Sequence, residues 1–315
     1  MKISIAMTTY NGSRFLEQQL KSLLRQTKKA DEIIIVDDGS SDDTVAIIKK
    51  YLNVSNTRIK LYINEVNLGV FKNFEKAISL CKGDIIFCCD QDDVWQFDKI
   101  EKHINNFDDD TMLVFSNASV TREDIKQYIS PLWENMKFQA SFKNIVYLGG
   151  SVAGCCMSFR KELLDGAYPF PDQVYHDDWL ITLAALKGKI NFIDEELMYY
   201  RQHGSNVVGI VRGNKFSYYK SLFTNPDSYL DHYQYIYTRH KLVLTALVEL
   251  NLISTEQKND LESNLEFAEV LANIRSNSRK VSLNNLKSFK KIGYYKKYAK
   301  FNYALDRYFV LVRGK

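Results

Sequence analysis

The chain has 315 residues, of which 45% are hydrophobic and 25% charged, and its formal net charge is +4. These values are ordinary for a globular protein and exclude collagen-like and strongly charged disordered classes. No apolar run reaches the roughly 20 residues that a membrane-spanning helix needs, and residues 1–6 lack the apolar core of a secretory signal. The five cysteines lie in apolar stretches without CxxC or Cys/His spacing, which indicates reduced core residues. We therefore expect a cytoplasmic protein.

Strands and helices alternate over the first 95 residues or so. Apolar runs predict strands at 3–7, 32–36, 58–63 and 85–89. Amphipathic stretches predict helices at 13–26, after Ser41 and up to Leu80. This alternation is typical of βαβ units in a doubly wound α/β fold with a parallel sheet.

Acidic residues follow two of these strands. Asp37 and Asp38 end one strand, and Asp90, Asp92 and Asp93 follow the fully apolar run 85–89. Because parallel strands end at the same edge of a sheet, both clusters belong to one predicted site. Packed carboxylates at a strand end suit Mg²⁺ or Mn²⁺ bound with phosphates, whereas an acidic turn that caps the next helix is the alternative interpretation.

The middle of the chain is less regular, and its end is helical and basic. Helices are predicted over 97–107 and 175–187, strands over 112–115 and 155–159, and two short strands over 190–200. Residues 271–315 hold 12 Lys or Arg and one Asp, a net charge of +11, which leaves −7 of the total of +4 for the remainder. We expect a site-bearing domain over 1–210 and a helical basic region over 211–315.

Five motifs occur in order over residues 1–205, and a further stretch follows them. They are Thr8-Thr9-Tyr10-Asn11-Gly12, Val36-Asp37-Asp38-Gly39-Ser40, Asn67-Leu68-Gly69, Asp90-Gln91-Asp92-Asp93-Val94-Trp95 and His176-Asp177-Asp178-Trp179, and then Tyr200-Arg201-Gln202-His203-Gly204-Ser205-Asn206. In this combination the chain resembles the family 2 glycosyltransferases, which have the GT-A fold. The wording of the last motifs is most similar to bacterial rhamnosyltransferases and related enzymes of surface polysaccharide synthesis.

The resemblance implies a Rossmann-like, mostly parallel sheet flanked by helices, with a C-terminal helical extension. It also implies an inverting transfer of a sugar from a nucleotide-sugar to a glycan or polyprenyl-diphosphate-linked acceptor. The donor expected from the motif wording is dTDP-rhamnose. Two alternatives stay open: a transferase of the same family that uses a UDP-hexose or UDP-N-acetylhexosamine, and a catalytically silent scaffold that binds sugar nucleotides.

The resemblance also assigns residues to the nucleotide-sugar. They are Thr8, Tyr10, Asp38, Asn67, Lys72 and Asp90. Asp38 is suited to accept the imide N–H of uracil or thymine, although Asp37 and Asp38 would equally cap the helix after Ser41. Lys72 is alternatively a solvated helix charge, and Asp90 would hold the ribose or share the metal.

The metal expected from the resemblance is Mn²⁺ or Mg²⁺. Asp92 matches the family position that ligates it, and His203 resembles a late histidine that completes the metal or diphosphate site. A structural role is the alternative for His203. Asp93 is expected to do no more than cap the helix after Trp95.

Inversion by single displacement needs a base beside the acceptor hydroxyl. The family places an acidic pair at a helix start, and here His176-Asp177 occupies that place, so Asp177 is the predicted base. His176 replaces the usual acid and is the second predicted catalytic residue, while Asp178 is the base if the register is shifted by one. Trp179 is suited both to stacking on a sugar and to packing in the core.

The basic region 271–315 interleaves Lys and Arg with tyrosines. This composition favours a peripheral contact with an anionic membrane, where a polyprenyl-linked acceptor would lie. Nucleic-acid binding is the rival explanation for the charge, but no nucleic-acid motif accompanies it. A solvated helical hairpin that packs on the body or forms a dimer is the third possibility.

Overall fold

The computed structural model describes residues 1–53, 57–134, 152–204 and 226–275. The contacts divide the chain into two compact units. The first contains the described residues up to 204, and the second contains those from 226 onward. The boundary expected at residue 210 lies outside the described residues, so the division into domains 1–210 and 211–315 stays a prediction.

The first half of the sheet is parallel, as the alternation of strands and helices predicts. Its strands are β1 (Ile3–Thr9), β2 (Glu32–Asp37), β3 (Arg58–Ile63) and β4 (Ile85–Cys89), in the spatial order β3-β2-β1-β4. The helices between them are α1 (Ser13–Leu24), α2 (Thr44–Tyr51) and α3 (Gly69–Leu80). Every residue of β2 and β4 is buried, because helices and neighbouring strands cover such a strand on both faces.

The second half of the sheet is mixed. Its remaining strands are β5 (Val94–Trp95), β6 (Thr111–Thr121), β7 (Tyr128–Pro131), β8 (Met157–Arg160) and β9 (Lys189–Arg201), and its helices are α4 (Lys99–Asn105) and α5 (His176–Lys187). Strand β8 is antiparallel to both β4 and β6, whereas β9 is parallel to β6 and carries the short antiparallel strand β5 on its other side. The sheet is mostly parallel, as expected, and every antiparallel pair of the described strands involves a strand of the second half.

Several predicted boundaries need correction. Residues 190–200 belong to one strand, β9, whose register against β6 jumps after Ile193, and this irregularity interrupts the apolar pattern that predicted two strands. Residues 154–156 form a short 3-10 turn before β8 rather than its first residues. Helix α2 begins at Thr44 with Asp43 at its cap position, so Ser41 does not cap it. Phe97 lies outside α4 and is 62% exposed.

The second unit contains two helices in its described part. They are α6 (Pro226–Glu249) and α7 (Thr255–Arg275), and they contact each other. Both lie in the region from residue 211 onward that was expected to be helical. Within the described ranges, none of the helices is long and apolar enough to cross a membrane.

Candidate active site

The turns after β1 and β2 are linked by hydrogen bonds. Thr9 Oγ1 donates to Asp37 Oδ1 at 2.8 Å, and the Asn11 N–H donates to Ser40 Oγ at 2.9 Å. Asp37 also accepts from the Ser40 N–H at 2.8 Å. Asp37 is thus committed to holding two turns together at the sheet edge.

Asp38 is buried and accepts three hydrogen bonds. Asn64 Nδ2 donates to Oδ1 at 2.7 Å, and the N–H groups of Leu68 and Gly69 donate to Oδ1 and Oδ2, both at 2.8 Å. These N–H groups belong to the start of α3, so Asp38 stabilises that helix end and not the helix after Ser41. Asn67 donates through Nδ2 to the Asp38 carbonyl at 3.0 Å. The structure thus brings Asp38 and Asn67, which belong to two separate motifs, into contact, and their role with the nucleotide stays a prediction.

Gln91, which stands between the acids of the Asp90–Trp95 motif, has a role in the site that the sequence did not indicate. Its side-chain oxygen accepts from the Tyr10 N–H at 2.9 Å, and its Nε2 donates to the Tyr10 carbonyl at 3.0 Å. A Cβ at Gly12 would lie 2.0 Å from Gln91 Oε1, so only glycine leaves room for this contact. The turn that carries Tyr10, just after Thr8 at the end of β1, is therefore tied to the turn that carries the acids, while the Tyr10 side chain stays 49% exposed.

The two predicted metal ligands lie side by side. His203 Nε2 is 2.8 Å from Asp92 Oδ2, and both side chains are largely buried. The His203 ring packs on Phe15 of α1 with centroids 4.8 Å apart. The residues are 111 positions apart in the chain, so it is the pairing of β5 with β9 that brings them together.

Arg201 connects the end of β9 to the turn Asp90–Asp93 after β4, called the acidic turn below. Its Nε donates to the Asp92 carbonyl at 2.7 Å, and its backbone N–H donates to Asp93 Oδ1 at 3.2 Å. The guanidinium also donates to Gln18 Oε1 at 2.7 Å and lies over the Phe15 ring at 4.5 Å. Arg201 thus positions the strand end from which His203 follows. Asp93 does not cap α4, since Asp98 occupies that cap position.

Burial raises the pKa of two carboxyl groups in the acidic turn. Burial, followed by the charge of Asp92, raises the pKa of Asp90 to about 7. The same two causes raise the pKa of Asp93 well above its ordinary value, and Asp93 Oδ2 is buried without a hydrogen-bond partner. A divalent cation at this edge would relieve the repulsion between the carboxylates.

Two sets of side chains could hold such a cation. Asp92 and His203 offer a carboxylate oxygen and an imidazole nitrogen, which suit Mn²⁺. Asp90, Asp93 and Cys155 offer ligand atoms within 4.8 Å of one another. However, a hydrogen bond with Cys156 and burial raise the pKa of the Cys155 thiol well above its ordinary value, and a protonated thiol is a poor ligand for a hard cation. The residues of the first set fit the metal better.

Asp177 lies at the start of α5, beside the acidic turn. Its Oδ2 accepts from the Gly154 N–H at 3.1 Å, and its Oδ1 accepts from the Asp178 N–H at 2.8 Å. Burial raises its pKa to about 7, and the charges of Asp178 and, more weakly, Asp90 add to this rise. A carboxyl group that titrates near neutrality in such a place is suited to accept a proton. Asp178, the alternative base, is 3% exposed.

His176 and Trp179 are packing residues in this structure. The His176 ring stacks on Phe74 with centroids 3.7 Å apart, and burial lowers its pKa to about 3. His176 is therefore a neutral ring that packs in the core next to the predicted base Asp177 in the chain. Trp179 is fully buried and donates through Nε1 to the Ala167 carbonyl at 3.2 Å, so it packs in the core and does not stack on a sugar.

Lys72 is neither a free helix charge nor an open ligand. Its ammonium lies 2.9 Å from Glu75 Oε2 and 2.9 Å from Asp172 Oδ1, and it donates to the Phe170 carbonyl at 3.1 Å. These contacts tie α3 to the segment that leads into α5. A role with the nucleotide-sugar would require Lys72 to exchange these partners.

The comparison with protein-family models decides the family. The model described as glycosyl transferase family 2 matches residues 4–166, just over half of the chain. The chain belongs to glycosyl transferase family 2. The matched region contains the turns after β1, β2 and β4 that were described above, so this glycosyltransferase has its acidic turn within the part that defines the family.

Known proteins extend the likeness. The glycosyltransferase is 31% identical over 219 residues to the dTDP-rhamnosyl transferase RfbG of Shigella flexneri. This alignment covers 64% of the glycosyltransferase and 73% of RfbG. A second relative, an uncharacterized glycosyltransferase of Nostoc sp., is 28% identical over 215 residues. That alignment covers 65% of this chain and 66% of the Nostoc protein.

Solved structures show the same fold. The crystal structure of S. aureus TarS 1–349 with UDP-GlcNAc matches with a TM-score of 0.59 at 18% identity, over 100% of this chain and 88% of that one. The mannosyltransferase PcManGT of Pyrobaculum calidifontis, solved with GDP-Man and Mn²⁺, matches with a TM-score of 0.52 at 15% identity, over 99% of this chain and 86% of that one. The GT-A fold expected from the motifs is confirmed.

Proposed function

We propose that this glycosyltransferase is an inverting, metal-dependent enzyme of bacterial surface polysaccharide synthesis, with dTDP-rhamnose as its donor. The observation that carries the proposal is the position of Asp177, whose carboxyl group lies beside the acidic turn and has a pKa raised to about 7. The identity with RfbG, which is named for dTDP-rhamnosyl transfer, supports the donor. The acceptor proposed is a hydroxyl of a glycan or of a polyprenyl-diphosphate-linked saccharide.

In the proposed reaction the acceptor oxygen attacks the anomeric carbon of the donor sugar. The bond from that carbon to the diphosphate breaks, and the nucleoside diphosphate leaves with the bonding electrons. Asp177 takes the proton of the attacking hydroxyl, and the carboxylate must be ionised beforehand to do so. Its two N–H contacts, from Gly154 and Asp178, hold the carboxylate in place.

Asp92 and His203 would hold the cation, since their ligand atoms already lie 2.8 Å apart. A bound Mn²⁺ or Mg²⁺ supplies a Lewis acid that offsets the charge on the leaving diphosphate. Thr8, Tyr10, Asp38 and Asn67 would contact the base and ribose from the carboxyl ends of β1, β2 and β3 and the turns that follow them. Asp38 still offers one lone pair to an imide N–H, on Oδ2, because this oxygen accepts only from Gly69 whereas Oδ1 already accepts two hydrogen bonds.

The first test is nucleotide binding by thermal shift, with dTDP, UDP, GDP and CDP, each with Mn²⁺ or with EDTA. We expect dTDP with Mn²⁺ to raise the Tm most, because a ligand that binds only the folded state stabilises it. A larger shift with UDP would favour a UDP-hexose or UDP-N-acetylhexosamine donor instead. Metal-dependent binding without any turnover of the sugar nucleotides would favour the silent scaffold.

The basic region 271–315 is proposed to contact an anionic membrane surface, where a lipid-linked acceptor lies. Most of it falls outside the described residues, so the proposal rests on its composition. We expect the full chain to cosediment with vesicles that contain anionic lipid and a chain ending at residue 270 to stay in the supernatant. Equal cosedimentation of the two chains would contradict a membrane role for this region.

A further inference from the structure

Lys99, the first residue of α4, is a buried cation beneath the acidic turn. Its side chain is 0% exposed, and its ammonium lies 4.1 Å from the centre of the Trp95 ring. None of the ion pairs in the described part of the chain involves Lys99. A buried ammonium loses its hydration, and here the Cys155 carbonyl and the Trp95 ring take the place of water around it.

The ammonium makes one short hydrogen bond. Its Nζ donates to the Cys155 carbonyl at 2.6 Å, and the thioether of Met198 lies 3.2 Å away. Cys155 is the middle residue of the 3-10 turn Gly154–Cys156. Lys99 therefore anchors this turn to α4 from inside the protein.

The anchored turn touches carboxyl groups on both sides of the site. The Gly154 N–H donates to Asp177 Oδ2 at 3.1 Å. On the other side, Cys155 Sγ lies within 4.8 Å of carboxylate oxygens of Asp90 and Asp93. A shift of the turn would consequently move the N–H that holds the predicted base.

The His176 ring also contacts the Gly154–Cys156 turn. A Cβ at Gly154 would lie 2.3 Å from His176 Nε2, so the turn is in close contact with the His176 ring. That ring is fixed in turn by its stacking on Phe74. The turn is therefore in contact with both the His176 ring and the Lys99 ammonium.

We propose that Lys99 is a positioning residue, which holds the Gly154–Cys156 turn so that the Gly154 N–H keeps the Asp177 carboxylate in place for proton transfer. The inference rests on the proposed function, in which Asp177 is the base. It assigns a role to a lysine that lies outside every motif of the site and contacts neither the predicted metal ligands nor Asp177 directly. The role is to fix geometry, so it concerns the rate of the chemical step more than the binding of the donor.

The test is Lys99→Met, whose side chain is one atom shorter but keeps most of the apolar contacts, and which removes the charge and the N–H donors. We expect kcat to fall about 10- to 100-fold, since a small misplacement of a catalytic group has an effect of this order. The donor KM and the Mn²⁺ Kd should change less than kcat, because Lys99 contacts neither ligand in the proposed complex and acts on the donor site only through its charge, which offsets part of the rise that burial causes in the pKa of Asp90. A kcat within twofold of the wild type would overturn the proposal.

Lys187→Met is the matched control. Lys187 also donates to main-chain carbonyls, those of Leu163 at 3.1 Å and Asp165 at 2.8 Å, but it lies at the far end of α5. We expect it to lower the Tm without changing kcat per folded molecule. An equal loss of kcat in both variants would show a general structural effect and would also overturn the proposal.

A readout without turnover separates this inference from the proposed function. Amide hydrogen exchange at Gly154 should be faster in Lys99→Met than in the wild type, and unchanged exchange would count against the inference even if no donor is ever turned over. Absence of transfer by the wild-type protein would instead remove the proposed function. Should Lys99→Met not fold, Lys99→Gln serves in its place, because its amide is one atom shorter and cannot span the same distance. A wild-type kcat in Lys99→Gln would overturn the proposal.

Discussion

Asp177→Asn is expected to reduce kcat about 1,000-fold while leaving the affinity for the nucleotide within about twofold, because general base catalysis contributes on this order. An asparagine has the same shape and still offers an oxygen to the Gly154 N–H, so the fold around α5 should persist. The measurement is steady-state transfer to an acceptor, together with nucleotide binding by calorimetry. Asp178→Asn is the matched control, and we expect it to retain at least a tenth of the activity. The opposite ranking of the two variants would make Asp178 the base.

The pH dependence belongs to the same prediction. Because the folded pKa of Asp177 is raised to about 7, the carboxyl is protonated and inactive as a base at lower pH. At limiting donor, kcat/KM reports the free enzyme and should therefore rise as the pH increases through about 7 and level off above it. The raised pKa has the reverse effect on stability: the buried carboxyl favours folding less as the pH rises from its unfolded pKa to its folded one. The loss of activity below about pH 7 should disappear in Asp177→Asn. If that variant still loses activity over the same pH range, the titrating group is a residue other than Asp177.

Asp92→Asn is expected to raise the Mn²⁺ concentration needed for half-maximal activity about 100-fold, and His203→Gln about 10-fold, because a charged ligand contributes more than a neutral one. The two ligand atoms are 2.8 Å apart and largely buried, so both would contact one cation. The measurement is Mn²⁺ binding followed by electron paramagnetic resonance, alongside activity across a metal titration.

The control for the metal variants is Asp98→Asn, which removes a carboxylate that lies 2.8 Å from Lys102 and outside the acidic turn. It should leave the Mn²⁺ affinity unchanged. If Asp92 and His203 form only a structural ion pair, their variants would lower the Tm without altering Mn²⁺ affinity. Full activity of the wild-type protein in EDTA would contradict metal dependence altogether.

The order of strands and the acids at their ends were readable from sequence because both depend on local pattern. The fully apolar runs at β2 and β4 predict buried parallel strands, and the parallel order places Asp38 and Asp90 at one edge. The motif wording also placed Asp92 and His203 in one predicted site, and the structure brings their side chains into contact.

Other features of the site were not readable, because they depend on contacts between distant segments. Gln91 sits between two acids in the motif, yet its role is to hold Tyr10, 81 residues away. Nothing in the sequence around Trp179 separates a sugar platform from a core residue, and only its complete burial does so.

By itself, the sequence determined the family, the βαβ order and the identity of the carboxylates, since periodicity and short motifs express local physical preferences. Only the tertiary structure decided which carboxylates are buried and how they titrate, because desolvation depends on everything packed around a group. It also showed that a lysine on the first turn of α4 meets a turn 56 residues later. Such a contact leaves no pattern along the chain, since the mixed half of the sheet, and not local preference, brings the two segments together.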